Sequence, residues 1–305
     1  MANTQSVFVE RSQPLGSPLS MIRLTELMEL GSGSREVVIG LLDGPVATDH
    51  PNLASEGIGG VPGTIGTGCS QAGSTACLHG TFVAGILCAK RGSAAPAICP
   101  ECTLLVRPIF GETTSRNGAL PSASPDELAA AINEAVAAGA RVINLSAAFA
   151  RPSTMSERVL VEALDHTARS GIIVVAAAGN QGTLGSSTIT RHPWVIPIVG
   201  CDLHGRPMDQ SNLGRSAGRQ GLMAPGEGVT SLGAEGRPLT LGGTSVAAPF
   251  VTGTIALLWS EYPSASATEV KSAVTGRRYA KRRTSVVPPL LDARAAYESM
   301  GKGRS

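Results

Sequence analysis

The stretch Gly242-Gly-Thr-Ser-Val-Ala-Ala-Pro-Phe-Val-Thr-Gly-Thr-Ile-Ala-Leu-Leu-Trp259 opens on two glycines and a threonine and then runs almost wholly apolar. Read as a helix, it starts at Ser245, with small residues on both sides that let another backbone come close. The first-turn amides of such a helix point past the serine hydroxyl and present a positive dipole end to a developing anion. A serine at a helix start is also an ordinary cap. What the rest of the chain brings to Ser245 decides between the two.

Upstream, five short apolar runs rich in β-branched residues read as strands: 36–42, 103–110, 142–146, 172–176 and 194–200. Between them lie helix signals. Ser124-Pro-Asp-Glu127 is a capping box with proline at the first helical position, opening a helix to residue 138. Thr154-Met-Ser-Glu157 opens another, to about residue 170, and Ser266-Ala-Thr-Glu269 opens a last one. The run from His79 has helical spacing, and 20–30 reads as one amphipathic helix. The glycine- and serine-rich 57–76 reads as loop. Strands alternating with capped helices make βαβ units. The expected fold is therefore three-layer α/β, a mainly parallel sheet with helices on both faces. The expected division is a lead-in over 1–35, one domain over 36–300 and a tail over 301–305.

The chain has 305 residues, 42% hydrophobic and 16% charged, enough for a large core. Aromatic residues make up 3%, too few for a platform that stacks single-stranded nucleic acid. The net charge of +2 argues neither for nor against an anionic partner, and the basic cluster at 277–283 reads as solvated surface. No apolar run reaches the ~20 residues of a membrane span. The N-terminal residues lack the basic-then-apolar build of a signal peptide. The expectation is a cytoplasmic protein with neither a nucleic-acid nor a membrane partner.

Six cysteines leave three readings open. Cys69 and Cys77 flank a Gly/Ser loop, and Cys99-Pro-Glu-Cys102 is a C-x-x-C. These four could hold zinc, close local disulfides, or stay as reduced thiols. Cys88 and Cys201 lie in apolar surroundings and read as core.

Three polar residues stand at the edges of these elements. Asp43 ends the first strand, at the sheet edge where α/β folds build their sites, and is followed by Gly44-Pro45. His79 stands at a helix start, where the dipole favours the neutral imidazole. Ser245 completes the chain order Asp, His, Ser, which is that of subtilisin. Around them lie Leu42-Asp43-Gly44 with His50-Pro51-Asn52-Leu53, His79-Gly80-Thr81-Phe82-Val83-Ala84-Gly85, Gly243-Thr244-Ser245-Val246-Ala247-Ala248-Pro249, and Ala176-Ala-Ala-Gly179-Asn180. In these four segments, spanning about residues 36–300, the chain resembles the subtilisin-like serine peptidases.

The resemblance implies the subtilisin-like fold and a peptidase with no cofactor. Ser245 would attack the peptide carbonyl, His79 would carry the proton and Asp43 would orient the imidazole. The side-chain amide of Asn180 would bind the oxyanion. Ser146, Ala147 and Ala148 would wall one side of a substrate groove, with Ala177 and Gly179 opposite. The family usually has glycines where this chain has Ala147 and Ala148, so a small residue is expected before the cleaved bond. Gly44 replaces the usual Ser or Thr after the aspartate, and Phe82 stands where relatives often carry a second histidine. No acidic calcium loop stands out. The cysteine-bearing loops around His79, the Pro108-Ile-Phe110 strand with the insert at 111–122, and the missing signal and pro-region are similar to the maturation peptidases of cyanobactin biosynthesis. Those remove the leader of a ribosomally made precursor peptide, which would then be this chain's partner. That branch usually carries a further C-terminal region, so an isolated protease domain is expected here.

Overall fold

A computed structural model describes residues 16–62, 66–112, 123–146, 157–276 and 283–301. Seven strands form one parallel sheet: β1 (Val38–Asp43), β2 (Ile58–Gly60), β3 (Thr103–Pro108), β4 (Val142–Leu145), β5 (Ile173–Ala177), β6 (Val195–Cys201) and β7 (Leu222–Pro225), in the order β2-β3-β1-β4-β5-β6-β7. A separate antiparallel hairpin joins β8 (Val229–Leu232) to β9 (Pro238–Leu241). This is the expected mainly parallel α/β architecture.

Side-chain alternation along the strands sorts the core onto two faces. Ile39, Leu41, Val142, Ile173 and Val175 pack into one cluster with Phe82, Phe250 and Trp259. Leu42, Ile143, Leu145, Val174 and Ala176 pack into the other with Leu128, Ile132 and Leu160. The second cluster is covered by the helices Pro125–Ala137 and Glu157–Arg169. The first holds the helices Thr75–Cys88 and Thr244–Glu261. Every residue from Thr244 to Trp259 is buried, so this helix is apolar all round, as a central helix must be. The hydroxyls of Thr254 and Ser260 donate to carbonyls one turn back, Phe250 and Ala256.

Three local expectations change. The single helix over 20–30 is two, Pro18–Met21 and Thr25–Leu30, separated by Arg23 at φ 55°. Ile22 and Leu24 are both fully buried, and residues two apart point to opposite sides of a helix. The break sends both into the core. The loop over 57–76 contains edge strand β2, whose glycines pair with β3 because an open sheet edge offers backbone partners whatever the side chains. It also holds the first turn of the next helix, which starts at Thr75 with the Ser74 hydroxyl accepting from the Cys77 N–H (3.2 Å). β7, too short to stand out in sequence, continues the sheet beyond β6. Among the described residues, no helix is long and apolar enough to cross a membrane.

Candidate active site

Asp43 is the last residue of β1, which lies in the sheet between β3 and β4. Its side chain is wholly buried. Oδ1 accepts the Gly44 N–H (2.6 Å) and pairs with His79 Nδ1 (2.7 Å). A carboxylate can only accept, so Nδ1 carries the proton and Nε2 is left as acceptor. Oδ2 is buried and accepts no hydrogen bond from the described residues.

His79 is the fifth residue of its helix, one turn further in than the sequence suggests. The dipole argument for a neutral imidazole therefore weakens, and the effect of Asp43 overturns it. Burial pulls the His79 pKa down, but the Asp43 charge and hydrogen bond outweigh it and hold the pKa above the ordinary 6.5.

His79 Nε2 lies 2.9 Å from Ser245 Oγ. Ser245 is the second residue of the helix Thr244–Glu261. The preceding Gly243 has φ +147°, a conformation that side chains rarely adopt, and a Cβ there would stand 3.0 Å from Asn180 Nδ2. Pro249 has no N–H for the Ser245 carbonyl one turn back. The structure thus joins Asp43, His79 and Ser245 in one buried hydrogen-bonded chain. Such a chain can move a proton from hydroxyl to imidazole while the carboxylate holds the resulting positive charge.

Asn180 follows β5 on an exposed turn. Its Oδ1 accepts from the Thr244 N–H (2.9 Å), which leaves the Nδ2 donors free to turn elsewhere. The Thr244 hydroxyl accepts from the Gly179 N–H (3.1 Å), so the turn and the start of the Ser245 helix are tied twice. Asn212 clasps this turn from outside. Its Oδ1 accepts from the Gln181 and Thr183 N–H groups and the Thr183 hydroxyl, and its Nδ2 donates to the Ala178 carbonyl and Gln181 Oε1. Nothing in the local sequence marks Asn212. The contact spans about thirty residues and exists only in the fold.

Ser146 and Ala177 stand side by side, one position beyond the paired Leu145 and Ala176 of β4 and β5. Both are buried, as is Gly179. Ser146 Oγ accepts from Asn144 Nδ2 (3.2 Å), and Asn144 Oδ1 accepts from the Thr252 hydroxyl (2.9 Å) two turns along the Ser245 helix. Asn144 opens the segment whose sequence resembles the family's groove wall, but its contact with Thr252 left no sign in the sequence. Ala147 and Ala148 lie outside the described residues, as do 113–122 of the insert and 277–282 of the basic cluster.

Cys69 and Cys77 are joined in a disulfide. Cys88, Cys99, Cys102 and Cys201 are free and buried. Among the described residues, the only three potential metal ligands within 4.8 Å of one another are Cys69, Cys77 and Glu112. Their two sulfurs, bonded to each other, offer no thiolate, and Cys99 and Cys102 stand apart from them.

Comparison with known proteins finds relatives over most of the chain. Residues 34–284 match the Peptidase_S8 model, described as the subtilase family. Over 264 residues the chain is 30% identical to subtilisin DY of Bacillus licheniformis, covering 85% of this chain and 89% of that protein. A mutant form of the protease domain of PatA superposes with a TM-score of 0.79 at 29% identity, over 89% of this chain and 98% of that one. The prenylagaramide maturation protease PagA superposes at 0.76 and 26%, over 90% and 98%.

Proposed function

The chain belongs to the subtilase family and is a subtilisin-like serine endopeptidase, and from that premise we propose that Asp43, His79 and Ser245 are its catalytic triad. The observation that carries this reading is the continuous chain from Ser245 Oγ through His79 to Asp43. Ser245 attacks the peptide carbonyl as His79 Nε2 takes its proton. His79 then protonates the leaving amine, and Asp43 holds the imidazolium. Asn180 Nδ2 stabilises the oxyanion, its amide oriented by the Thr244 N–H on its oxygen. The substrate backbone runs between Ser146, Ala147 and Ala148 on one side and Ala177 and Gly179 on the other. The two alanines favour a small residue before the cleaved bond.

The physiological substrate in this reading is a ribosomally made precursor peptide. Removal of its N-terminal leader is one step in maturing a macrocyclic product of the cyanobactin kind. Supporting this is the similarity to PagA, a prenylagaramide maturation protease, and to PatA over 89–90% of this chain. Enzyme and precursor meet in the cytoplasm, where the peptide is made. The similarity to subtilisin DY favours a second reading, a broad degradative peptidase.

Mass spectrometry of a mixed peptide library, with wild type beside Ser245→Ala, tests both. Cleavage by wild type alone, at one short motif ending in a small residue, is the expected result. Cuts scattered over the library would favour degradation. Equal products from both proteins would remove Ser245 as the nucleophile.

A further inference from the structure

The helix carrying His79 is seated on the Asp43 segment by bare backbone. A Cβ on Gly44 would lie 1.9 Å from the Ala76 carbonyl oxygen, and a Cβ on Gly80 would lie 2.4 Å from the carbonyl oxygens of both Gly44 and Pro45. These two approaches, one helical turn apart, bracket His79. Just past Gly80 the Thr81 hydroxyl accepts from the Ala47 N–H (2.9 Å), so the helix is tied to this segment beyond His79, while its first turn, before His79, meets the segment as bare backbone. The Asp43 carboxylate holds the His79 ring through Oδ1, but neither of its oxygens reaches residues 75–78 of the first turn.

The restraints on the first turn itself lie on its outer side. Cys77, two residues before His79, is bonded to Cys69. Cys69 belongs to a strip laddered onto the segment after Asp43, through Val46 N–H to the Thr67 carbonyl (3.0 Å) and Cys69 N–H to the Val46 carbonyl (3.3 Å). The disulfide therefore closes a loop from the aspartate's strand to the histidine's helix. Glu112 reinforces it. Its carboxylate accepts from the Ser70 and Gln71 N–H groups (2.8–3.0 Å) and from the hydroxyls of Ser70 and Ser74, the helix cap. A Glu112 oxygen also lies within 4.8 Å of both sulfurs. Burial works against its charge, but these hydrogen bonds outweigh it and keep its pKa below the ordinary carboxylate value.

We propose that the Cys69–Cys77 disulfide is a redox-dependent positioning device, which holds the first turn of the His79 helix on the Asp43 segment and releases it when a dithiol opens the bond. The proposal rests on the triad reading above. Cys69 is half-buried and Cys77 fully buried, so attack falls on Cys69. A thiolate of the dithiol bonds to Cys69 Sγ, and Cys77 leaves and takes a proton. The second thiol then displaces Cys69, which is protonated in turn. The protein gains two electrons and two protons, and the dithiol becomes a disulfide. The Glu112 carboxylate repels the incoming thiolate and slows the first step.

The test uses the full chain, a small peptide substrate and a fluorophosphonate probe. The oxidised protein is expected to label at Ser245. After dithiol treatment, with both Cys69 and Cys77 shown by mass spectrometry to alkylate in a parallel sample, kcat is expected to fall about tenfold or more with KM little changed. The acid limb of the pH profile moves to lower pH, because His79 loses the charge that raises its pKa. Reoxidation restores both. Cys69→Ser and Cys77→Ser start at the low activity and do not respond to dithiol, and Glu112→Gln is reduced faster than wild type. Reduced wild type with unchanged kcat would overturn the proposal. So would a fall in kcat with the acid limb unmoved, which marks general loosening. Free thiols at Cys69 and Cys77 in protein purified without reductant would also overturn it. Failure of the oxidised protein to label at Ser245 would instead strike the triad reading, and this proposal with it.

Discussion

The carbonyl oxygen of Ala76 occupies the space where a side chain on residue 44 would begin, 1.9 Å from an ideal Cβ on Gly44. The family resemblance of the sequence implies a hydroxyl residue at this position. Here the first turn of the His79 helix, starting at Thr75, fills that space with backbone. Gly44→Ser therefore does not rescue the bare Oδ2 of Asp43. It pushes the helix away, at a cost of about 1–3 kcal/mol for overpacking. Thermal denaturation and kcat measured on the same preparation check this. Both are expected to fall, and a gain in kcat would sink the idea.

With His79 as the proposed general base, its raised pKa is expected to set the acid limb of activity. The imidazole must be neutral to accept the Ser245 proton, so kcat/KM is expected to rise with pH through a value above 6.5. Stability runs the opposite way. A histidine with a raised folded-state pKa contributes stability fully below its unfolded value, and that contribution fades as pH climbs through the folded one. The enzyme thus becomes active in the window where the Asp43–His79 pair stabilises it less. In Asp43→Asn the acid limb is expected to shift down and kcat to drop about 10⁴-fold, since the tautomer is no longer enforced. A pH–rate series on both proteins reads these effects.

Asn180 and Asn212 separate by their kinetics. Asn180→Ala removes the proposed oxyanion donor and is expected to lower kcat about 10²–10³-fold, the range known for the corresponding change in a subtilisin, with KM nearly constant. Asn212→Ala removes a clasp of five hydrogen bonds to 178–183. It loosens the turn that carries Asn180, so it lowers both Tm and kcat. Steady-state kinetics beside calorimetry distinguish the two patterns.

Thr252→Val leaves the buried Asn144 Oδ1 without its hydroxyl donor. An unpaired buried acceptor costs about 1–3 kcal/mol. Chemical denaturation should report that loss. A rise in KM larger than the change in kcat is also expected, because Asn144 Nδ2 donates to Ser146 at the proposed substrate groove. A variant as stable as wild type would show that Asn144 finds another partner.

Much of this was legible in the order of residues. Asp43, His79 and Ser245 could be picked out because each stands at the edge of an element whose periodicity is local. Asn180 could be read from the small-residue segment that precedes it. The five central strands and the helices capped at Ser124 and Ser266 followed from apolar period and capping chemistry, which act within a few residues, whereas the cap read at Thr154 lies outside the described residues. By contrast, β2 and β7 are short pieces that become strands only because a neighbouring strand offers hydrogen bonds. The break at Arg23 came from two core positions that one helix could not serve.

The peptidase class and the layered scaffold are written in residue types and short spacings, so the order of residues was enough to read them. The tertiary structure alone decided how that chemistry is held. Asn212 on its turn, Asn144 between Thr252 and Ser146, Glu112 on the loop before the His79 helix, and Cys69 chosen by Cys77 are contacts between segments separated along the chain. So is the close fit of Ala76 against Gly44, which explains a glycine that sequence reading could only mark as a missing hydroxyl. Such contacts depend on which backbones meet at angstrom distance, and local periodicity carries no record of that.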